Sequence, residues 1–174
     1  AREELSGEVG IIIDDFGYYD DEMTEEFLTL SPNKVKFSVI PGHDYSEKIG
    51  NDAAGRGFEI MVHMPMEPME YEGGEGDYIL LSGMSSRQVI RRLNNAFEEL
   101  PMAVGLNNHQ GSRATQDPRV MQTVLYMLRS QNMFFIDSYT SPESVGYELA
   151  RKIGVSSARR TVFLDNEQDS TYIA

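Results

Sequence analysis

Four side chains that could bind a metal ion or move a proton stand just after apolar segments of the sequence. They are Asp14, Asp15, His63 and His109. Carboxylates and neutral imidazoles are good ligands for zinc and related divalent ions, and both groups also serve as general bases. The chain has three histidines, so two of the three belong to this set. The set indicates a metal centre or an acid–base site, provided that the fold brings these residues together.

Each of these residues also has a structural interpretation when it is taken alone. Successive side chains on a strand point to opposite faces, so one of Asp14 and Asp15 could cap a helix while the other is merely exposed. Both can reach one pocket only where the strand breaks, and the following Phe16-Gly17 favours such a break. Two adjacent carboxylates after a buried strand are costly without a positive partner, which favours a functional role. His63 alone could be a hydrogen-bonded histidine of the core.

Weaker candidates lie near the two histidines and after later apolar runs. Glu67 follows His63 by four residues and is a further candidate ligand. The polar residues around His109 could orient a ligand, bind a sugar hydroxyl or simply build a turn. These residues are Asn107, Asn108 and Ser112. Asp137 and Asp165 each follow an apolar run and could support a ligand or cap the next helix.

The hydrophobic pattern predicts alternating strands and helices. Strands are expected over residues 9–13, 35–40, 58–62, 102–106, 133–136 and 161–164. Helices are expected over 20–30 and 45–56, from Ser85 onward, from Asp117 onward, and from Ser141-Pro142 to about Ile153. Such repeats favour parallel strands with right-handed crossovers, in a barrel-like or an open doubly wound sheet. In both architectures the chemistry lies at the carboxyl ends of the strands, where the candidate residues stand.

Composition limits the domain organisation and the partners. We expect one domain over the 174 residues, with residues 1–7 as a loose lead-in. The formal net charge of −13 argues against nucleic acid or an anionic membrane surface as a partner, and a neutral or cationic ligand agrees better with it. No apolar run approaches the ~20 residues that cross a bilayer.

The sequence lacks the motifs of several other active sites. It contains no cysteine, which excludes disulfides, a thiolate nucleophile and a cysteine zinc site. It also has no Gly-x-Ser-x-Gly elbow, no phosphate-binding glycine loop and no dinucleotide fingerprint after a strand. No serine stands in a recognisable nucleophile setting, so no other constellation competes well with the aspartates and histidines.

Several segments, in order along the chain, resemble motifs of the polysaccharide deacetylases. Residues 11–17, a strand that ends in Asp14-Asp15, are similar to the first motif of that family. Residues 57–63 are similar to the segment in which a strand ends in a histidine. The segments 63–68, 107–112 and 134–138 look most like the divergent branch of the family. The resemblance runs from about Val9 to Asn166.

The resemblance implies a distorted (β/α) barrel with fewer than eight strands. It implies metal-dependent removal of acetyl groups from N-acetylated or O-acetylated sugars, with Asp14 as the base and with Asp15 and His63 as metal ligands. The expected partner is therefore an acetylated oligosaccharide or polysaccharide. The same resemblance implies a bacterial protein outside the cytoplasm, either secreted, periplasmic or in the cell envelope.

The sequence departs from the family pattern at three places. Glu67 stands where a second histidine is usual, and the arginine–proline motif is not reproduced around Ser112-Arg113. We therefore expect His109 as the third ligand, with Glu67 in reserve. Zinc fits this set best, and nickel, cobalt and manganese are alternatives. The late histidine of the family, its general acid, has no match before Ala174, so we expect the chain to lack the C-terminal unit of the barrel.

Two functions remain open from the sequence. The first is a metal-dependent carbohydrate deacetylase, in which Asp14 takes a proton from the attacking water. Without the late histidine, we expect acetyl esters to be cleaved more readily than N-acetyl groups. The second is a non-catalytic barrel that keeps the metal for structure and binds envelope glycan or a protein partner. Metal content does not separate these functions, whereas turnover does.

Overall fold

The computed structural model of the chain describes residues 9–74 and 76–165, and its central feature is a sheet of six parallel strands in chain order. The strands are β1 (Ile11–Phe16), β2 (Val35–Val39), β3 (Ile60–Met66), β4 (Ala103–Gln110), β5 (Phe134–Asp137) and β6 (Ser157–Arg159). Each strand pairs in parallel with the next one. The sheet curls into a half-barrel, which confirms the expected α/β barrel with fewer than eight strands. The predicted lead-in, residues 1–7, lies outside the described residues.

Helices connect the strands throughout the described part of the chain. They are α1 (Glu22–Phe27), α2 (Ser46–Gly55), α3 (Ser86–Glu99), α4 (Pro118–Ser130) and α5 (Gly146–Ile153). Ser85 and Gln88 form the predicted capping box at the start of α3. Helix α4 begins where the sequence predicted, and Asp117 caps it, because its carboxylate accepts hydrogen bonds from the backbone N–H groups of Arg119 and Val120. None of the helices in residues 9–74 and 76–165 combines the length and the apolar character needed to cross a membrane.

Apolar side chains from both the helices and the strands form the core. Phe37 of β2 is fully buried, and its ring stacks on Phe58 with the ring centroids 4.4 Å apart. Phe16, at the end of β1, packs against the ring of Phe37 at a centroid distance of 4.7 Å. Burying one such side chain contributes roughly 1.5–3 kcal/mol to the free energy of unfolding. This packing fixes β1 beside β2, and so fixes the carboxyl end of β1 relative to its neighbours.

Strands β3 and β4 continue further than the hydrophobic pattern predicted. His63 lies within β3 and His109 within β4, whereas we expected both to follow the ends of shorter strands. The two strands remain paired as far as Met66 of β3, which lies opposite Gln110 of β4. The apolar pattern underestimates β4 because its polar side chains, such as that of Asn107, are buried with hydrogen-bond partners.

The last strand is not where the sequence predicted it. Strand β6 occupies Ser157–Arg159, and residues 161–165, including the candidate Asp165, are exposed and form no strand. The backbone N–H of Arg160 donates to the carbonyl of Asp137 at 2.9 Å, and its guanidinium donates to the carbonyl of Ser138 at 2.6 Å. These bonds hold the chain to the end of β5 directly after β6, so the apolar run that follows lies beyond the paired strand.

Candidate metal centre

The Asp14-Asp15 pair lies at an irregularity of β1. This strand pairs regularly with β2 up to Ile13, and the register shifts before Phe16. Asp15 has a φ of 64°, in the left-handed region that aspartate tolerates better than most residues. The alternation of side chains between the two faces of the sheet is therefore interrupted at the two aspartates. Such a break was expected to be necessary for both carboxylates to reach one site.

Asp15, His63 and His109 place one ligand atom each within 4.8 Å of one another. The Oδ1 atom of Asp15 lies 3.1 Å from Nε2 of His63 and 2.9 Å from Nδ1 of His109. The two imidazole rings meet edge to face, with their centroids 4.9 Å apart. One carboxylate oxygen and two imidazole nitrogens form a donor set that zinc and related ions bind. These three residues, from β1, β3 and β4, therefore fit a divalent metal ion.

The three side chains differ in burial and so define the open side of the site. The side chain of His63 is 4% exposed and that of His109 is 15% exposed, whereas that of Asp15 is 61% exposed. Hydrogen bonds from His109 and His63 hold the pKa of Asp15 well below its usual range. Asp15 is consequently ionised, and the site is open to solvent on its side.

The charge of His63 depends on the same carboxylates. Burial alone would lower the pKa of His63, but the hydrogen bond to Asp15 and the charges of Asp14 and Asp15 outweigh burial and raise this pKa above its ordinary value. The local electrostatic field therefore favours a positive charge at this position. A metal ion bound by His63 would supply that charge and would displace a proton.

Asn107 connects Asp14 to His63 beside the three converging residues. Its Nδ2 donates a hydrogen bond to Oδ1 of Asp14 at 2.9 Å, and its Oδ1 lies 2.8 Å from Nδ1 of His63. The hydroxyl of Ser38 donates to the same Oδ1. Oδ1 of Asp14 is 3.9 Å from Nδ1 of His63, which is too long for a hydrogen bond. Asp14 is therefore held next to the group of three without belonging to it.

Glu67 makes its contacts away from the three converging residues. Its carboxylate accepts a hydrogen bond from the backbone N–H of Ser82 at 2.7 Å and lies 3.5 Å from the guanidinium of Arg113. Its backbone carbonyl accepts hydrogen bonds from the N–H groups of Arg113 and Ala114. Glu67 thus ties together the loops that precede α3 and α4. Among the described residues it is not part of the group whose ligand atoms converge.

Asn108 and Ser112 hydrogen-bond to the backbone. Asn108 accepts a hydrogen bond from the N–H of Ser138 at 2.9 Å and donates one to the carbonyl of Gln110 at 2.7 Å. The Ser112 hydroxyl accepts a hydrogen bond from the N–H of Met69 at 2.9 Å. These contacts agree with turn-building, one of the three interpretations that the sequence left open for these residues.

Asp137 organises the segment after β5. Its buried carboxylate accepts hydrogen bonds from the N–H of Tyr139 at 2.9 Å, the N–H of Tyr147 at 3.0 Å and the hydroxyl of Ser144 at 2.7 Å. These bonds hold a non-helical segment, and helix α5 therefore begins later than the predicted start at Ser141-Pro142. The described hydrogen bonds of the Asp137 side chain do not connect it to the metal-ligand candidates.

The sequence did not indicate a role for Ser38. Ser38 and Lys36 alternate with apolar residues on β2, and this period-two pattern is typical of side chains that face solvent. Ser38 is instead fully buried, because its hydroxyl has a partner in Asn107. The third histidine, His43, lies after β2 with its ring 4.0 Å from that of Tyr18, centroid to centroid. His43 is half-buried in this contact.

Comparison with known proteins yields one family and two curated relatives. The family model described as divergent polysaccharide deacetylase matches residues 11–174. An uncharacterized protein of Haemophilus influenzae is 36% identical over 161 residues, which cover 92% of this chain and 56% of that protein. The uncharacterized protein YibQ of Escherichia coli K12 is 33% identical over 169 residues, which cover 97% of this chain and 52% of YibQ. The chain thus spans about half the length of these relatives.

A solved structure has a similar fold. The crystal structure of the uncharacterized protein ATU2773 from Agrobacterium tumefaciens C58 matches with a TM-score of 0.84 and 22% sequence identity. The match covers 94% of this chain and 67% of the ATU2773 chain. At this identity the likeness shows a shared fold and carries no statement about activity.

Proposed function

The chain belongs to the divergent polysaccharide deacetylase family, and on this basis we propose that it is a metal-dependent hydrolase that removes acetyl groups from N-acetylated or O-acetylated carbohydrate. The observation that carries this proposal is the convergence of Asp15, His63 and His109, with the second carboxylate of Asp14 beside them. A set of metal ligands and an adjacent base are the two parts that hydrolysis by an activated water requires.

The three converging residues would hold the ion, each through one ligand atom. A divalent ion at this position would polarise the acetyl carbonyl and lower the pKa of water to about 7. Two imidazole nitrogens and one carboxylate oxygen suit zinc best, and nickel, cobalt and manganese are alternatives. The open side at Asp15 would leave room for water and substrate to approach.

In this proposal Asp14 acts as the base. It lies one residue from Asp15, its side chain is 31% exposed, and Asn107 holds one of its oxygens. In the proposed reaction, Asp14 takes a proton from water while the water oxygen adds to the acetyl carbon. The bond from that carbon to the sugar nitrogen or oxygen then breaks, which releases acetate and leaves an amine or a hydroxyl on the sugar. That leaving group takes up a proton from solvent as it departs, and Asp14 then gives its proton back to solvent.

The net charge agrees with this class of substrate. A chain with a formal net charge of −13 would repel a strongly anionic polymer, whereas an acetylated sugar is neutral and its N-deacetylated product is cationic. A location outside the cytoplasm, where envelope glycans occur, remains a prediction based on the family.

Acetate release tests the proposal directly. The purified protein would be incubated with O-acetylated and N-acetylated oligosaccharides after removal of metal by a chelator and again after addition of zinc, cobalt, nickel or manganese. We expect acetate release that disappears with the chelator and returns with a divalent ion. If the protein binds metal and releases no acetate from any of these sugars, the non-catalytic alternative, a metal-containing barrel that binds glycan or a protein partner, replaces the proposal.

A further inference from the structure

Side chains from four consecutive strands meet at Asn107. Asp14 comes from β1, Ser38 from β2, His63 from β3 and Asn107 itself from β4. We propose that Asn107 is a positioning residue that holds the Nδ1–H group of His63, so that Nε2 faces the metal ion, and that at the same time orients Asp14. This inference deepens the proposed function, since His63 acts there as a ligand and Asp14 as the base.

The neighbours of Asn107 decide which way its carboxamide points. The carboxylate of Asp14 accepts hydrogen bonds and does not donate them, so the amide nitrogen must face it, at 2.9 Å. The Ser38 hydroxyl then donates to the amide oxygen on the other side. A flipped amide would set its oxygen against the carboxylate of Asp14, and two acceptors in contact repel each other. The oxygen of Asn107 therefore faces His63.

The amide oxygen determines in turn which nitrogen of His63 keeps its proton. It lies 2.8 Å from Nδ1 and has no hydrogen to donate, so Nδ1 must be the donor. Nε2 lies 3.1 Å from the carboxylate of Asp15, so without an ion a proton on Nε2 also has an acceptor. An ion bound where the ligand atoms converge would replace the proton on Nε2, while Nδ1–H keeps its hydrogen bond to Asn107. Asn107 thus fixes Nε2 as the nitrogen that can bind a metal ion at this site.

Burial and strand register support this selection. His63 and Asn107 are register partners on neighbouring strands, so the contact between them is built into the sheet. Asn107 is 1% exposed and Ser38 is fully buried, which leaves little access for water as an alternative partner. A buried N–H without an acceptor is costly, so the ring strongly favours the orientation in which Nδ1–H donates to Asn107.

Because the oxygen and the nitrogen of one carboxamide serve different partners, substitution can separate the two effects. Asn107→Asp keeps an acceptor for His63 and Ser38, but it replaces the donor to Asp14 with a second carboxylate oxygen, which repels Asp14. Asn107→Leu, of similar shape, removes both. Asn108→Leu is the matched control for metal affinity, since Asn108 is an equally buried asparagine of β4 that bonds the backbone of Ser138 and Gln110.

The experiment measures the ring nitrogens of His63 by 15N NMR in the zinc-loaded protein. We expect a protonated Nδ1 and a zinc-bound Nε2 in the parent and in Asn107→Asp, and loss of this single arrangement in Asn107→Leu. Zinc affinity, measured by calorimetry, should fall by roughly 10–100-fold in Asn107→Leu and largely recover in Asn107→Asp. Asn108→Leu should lower thermal stability and leave the zinc affinity of the folded protein unchanged.

Zinc bound to Nδ1 of His63 in the parent would overturn the proposal, and so would an unchanged ring in folded, zinc-loaded Asn107→Leu. If Asn107→Leu does not fold, the parent spectrum still decides, together with Ser38→Ala. That variant removes one donor to the amide oxygen and should retain the protonated Nδ1. A parent protein that binds no divalent ion would contradict the proposed function, whereas zinc bound through Nδ1 would contradict this inference alone.

Discussion

Asp14 and Asp15 are adjacent in the sequence, yet they have different partners: Asp15 contacts both histidines of the site, whereas Asp14 accepts a hydrogen bond from Asn107. A regular strand would send the two side chains to opposite faces of the sheet. The shifted register of β1 and the left-handed φ of Asp15 replace that regular geometry. The different partners predict different roles, which single substitutions can separate.

We predict that Asp14→Asn keeps the metal and loses the hydrolytic activity. The amide retains the shape of the side chain but accepts no proton, so acetate release should fall by ~10²-fold or more. Metal content and initial rates of acetate release, measured on the same preparation, check this. Asp52→Asn is the control, because Asp52 pairs with Lys48 on the exposed side of α2 and should leave both quantities unchanged. Loss of the metal in Asp14→Asn would make Asp14 a ligand.

We predict that His63→Ala and His109→Ala each lose the metal. Each substitution removes one of the three converging ligand atoms, and two remaining ligands hold a divalent ion poorly. Elemental analysis of the purified variants measures the loss. His43→Ala is the control for the removal of a histidine, since the His43 ring packs against Tyr18. Retention of the parent's metal content by both site variants would show that the ion binds elsewhere.

We predict that Glu67→Ala keeps the metal and lowers stability. The substitution removes the acceptor of the Ser82 N–H and the contact with Arg113, so the free energy of unfolding should fall by roughly 0.5–1.5 kcal/mol. Chemical denaturation measures this change, and elemental analysis measures the metal. A variant that folds normally but no longer binds metal would assign Glu67 to the ligand set.

The candidate site could be predicted from the sequence because the parallel strands lie in the sheet in the order in which they occur along the chain. Parallel strands place their carboxyl ends at one edge, so polar residues after Ile13, and those at positions 63 and 109, were expected to meet. The role of Ser38 could not be anticipated in this way. Its partner Asn107 lies 69 residues away in the sequence, and local alternation on β2 is typical of a solvent-facing serine.

The ends of the strands and helices were also predicted only where local sequence determines them. The hydrophobic pattern located the strands approximately, but it missed the polar half of β4, where buried hydrogen bonds replace apolar packing. It also placed a strand at 161–164, where apolar residues follow β6 without pairing. Helix starts with capping residues, such as Asp117, were predicted correctly because the cap acts on the next few residues of the chain.

We predict a pH-dependent contribution of Asp117 to stability. Partial burial would raise the pKa of Asp117, but hydrogen bonds from the backbone N–H groups of Gly83, Arg119 and Val120 outweigh it and lower the pKa below 3.8. A lowered folded-state pKa stabilises the protein above the unfolded-state pKa, and this contribution is lost as the pH falls through the folded-state value. Asp117→Ala should therefore cost about 1 kcal/mol at pH 7 and progressively less below pH 3.8.

Denaturation of the parent and the Asp117→Ala variant between pH 7 and pH 3 measures this difference. Asp117→Asn is the control, because asparagine also caps helices well but carries no charge that titrates. A difference between parent and Asp117→Ala that stays constant over the whole pH range would contradict the assignment.

The final prediction concerns the bond that is cleaved. Hydrolysis of an amide requires a proton on the departing amine, whereas the alcohol of an ester leaves more easily. His63 and His109 are both committed as ligands in the proposed site, and the remaining histidine, His43, packs against Tyr18. We therefore expect faster acetate release from O-acetylated than from N-acetylated oligosaccharides at the same metal loading. His43→Gln distinguishes the source of any amide cleavage, since a fall in that rate alone would identify His43 as the acid. Amide cleavage as fast as ester cleavage in the parent would show that the site supplies the proton efficiently by another route.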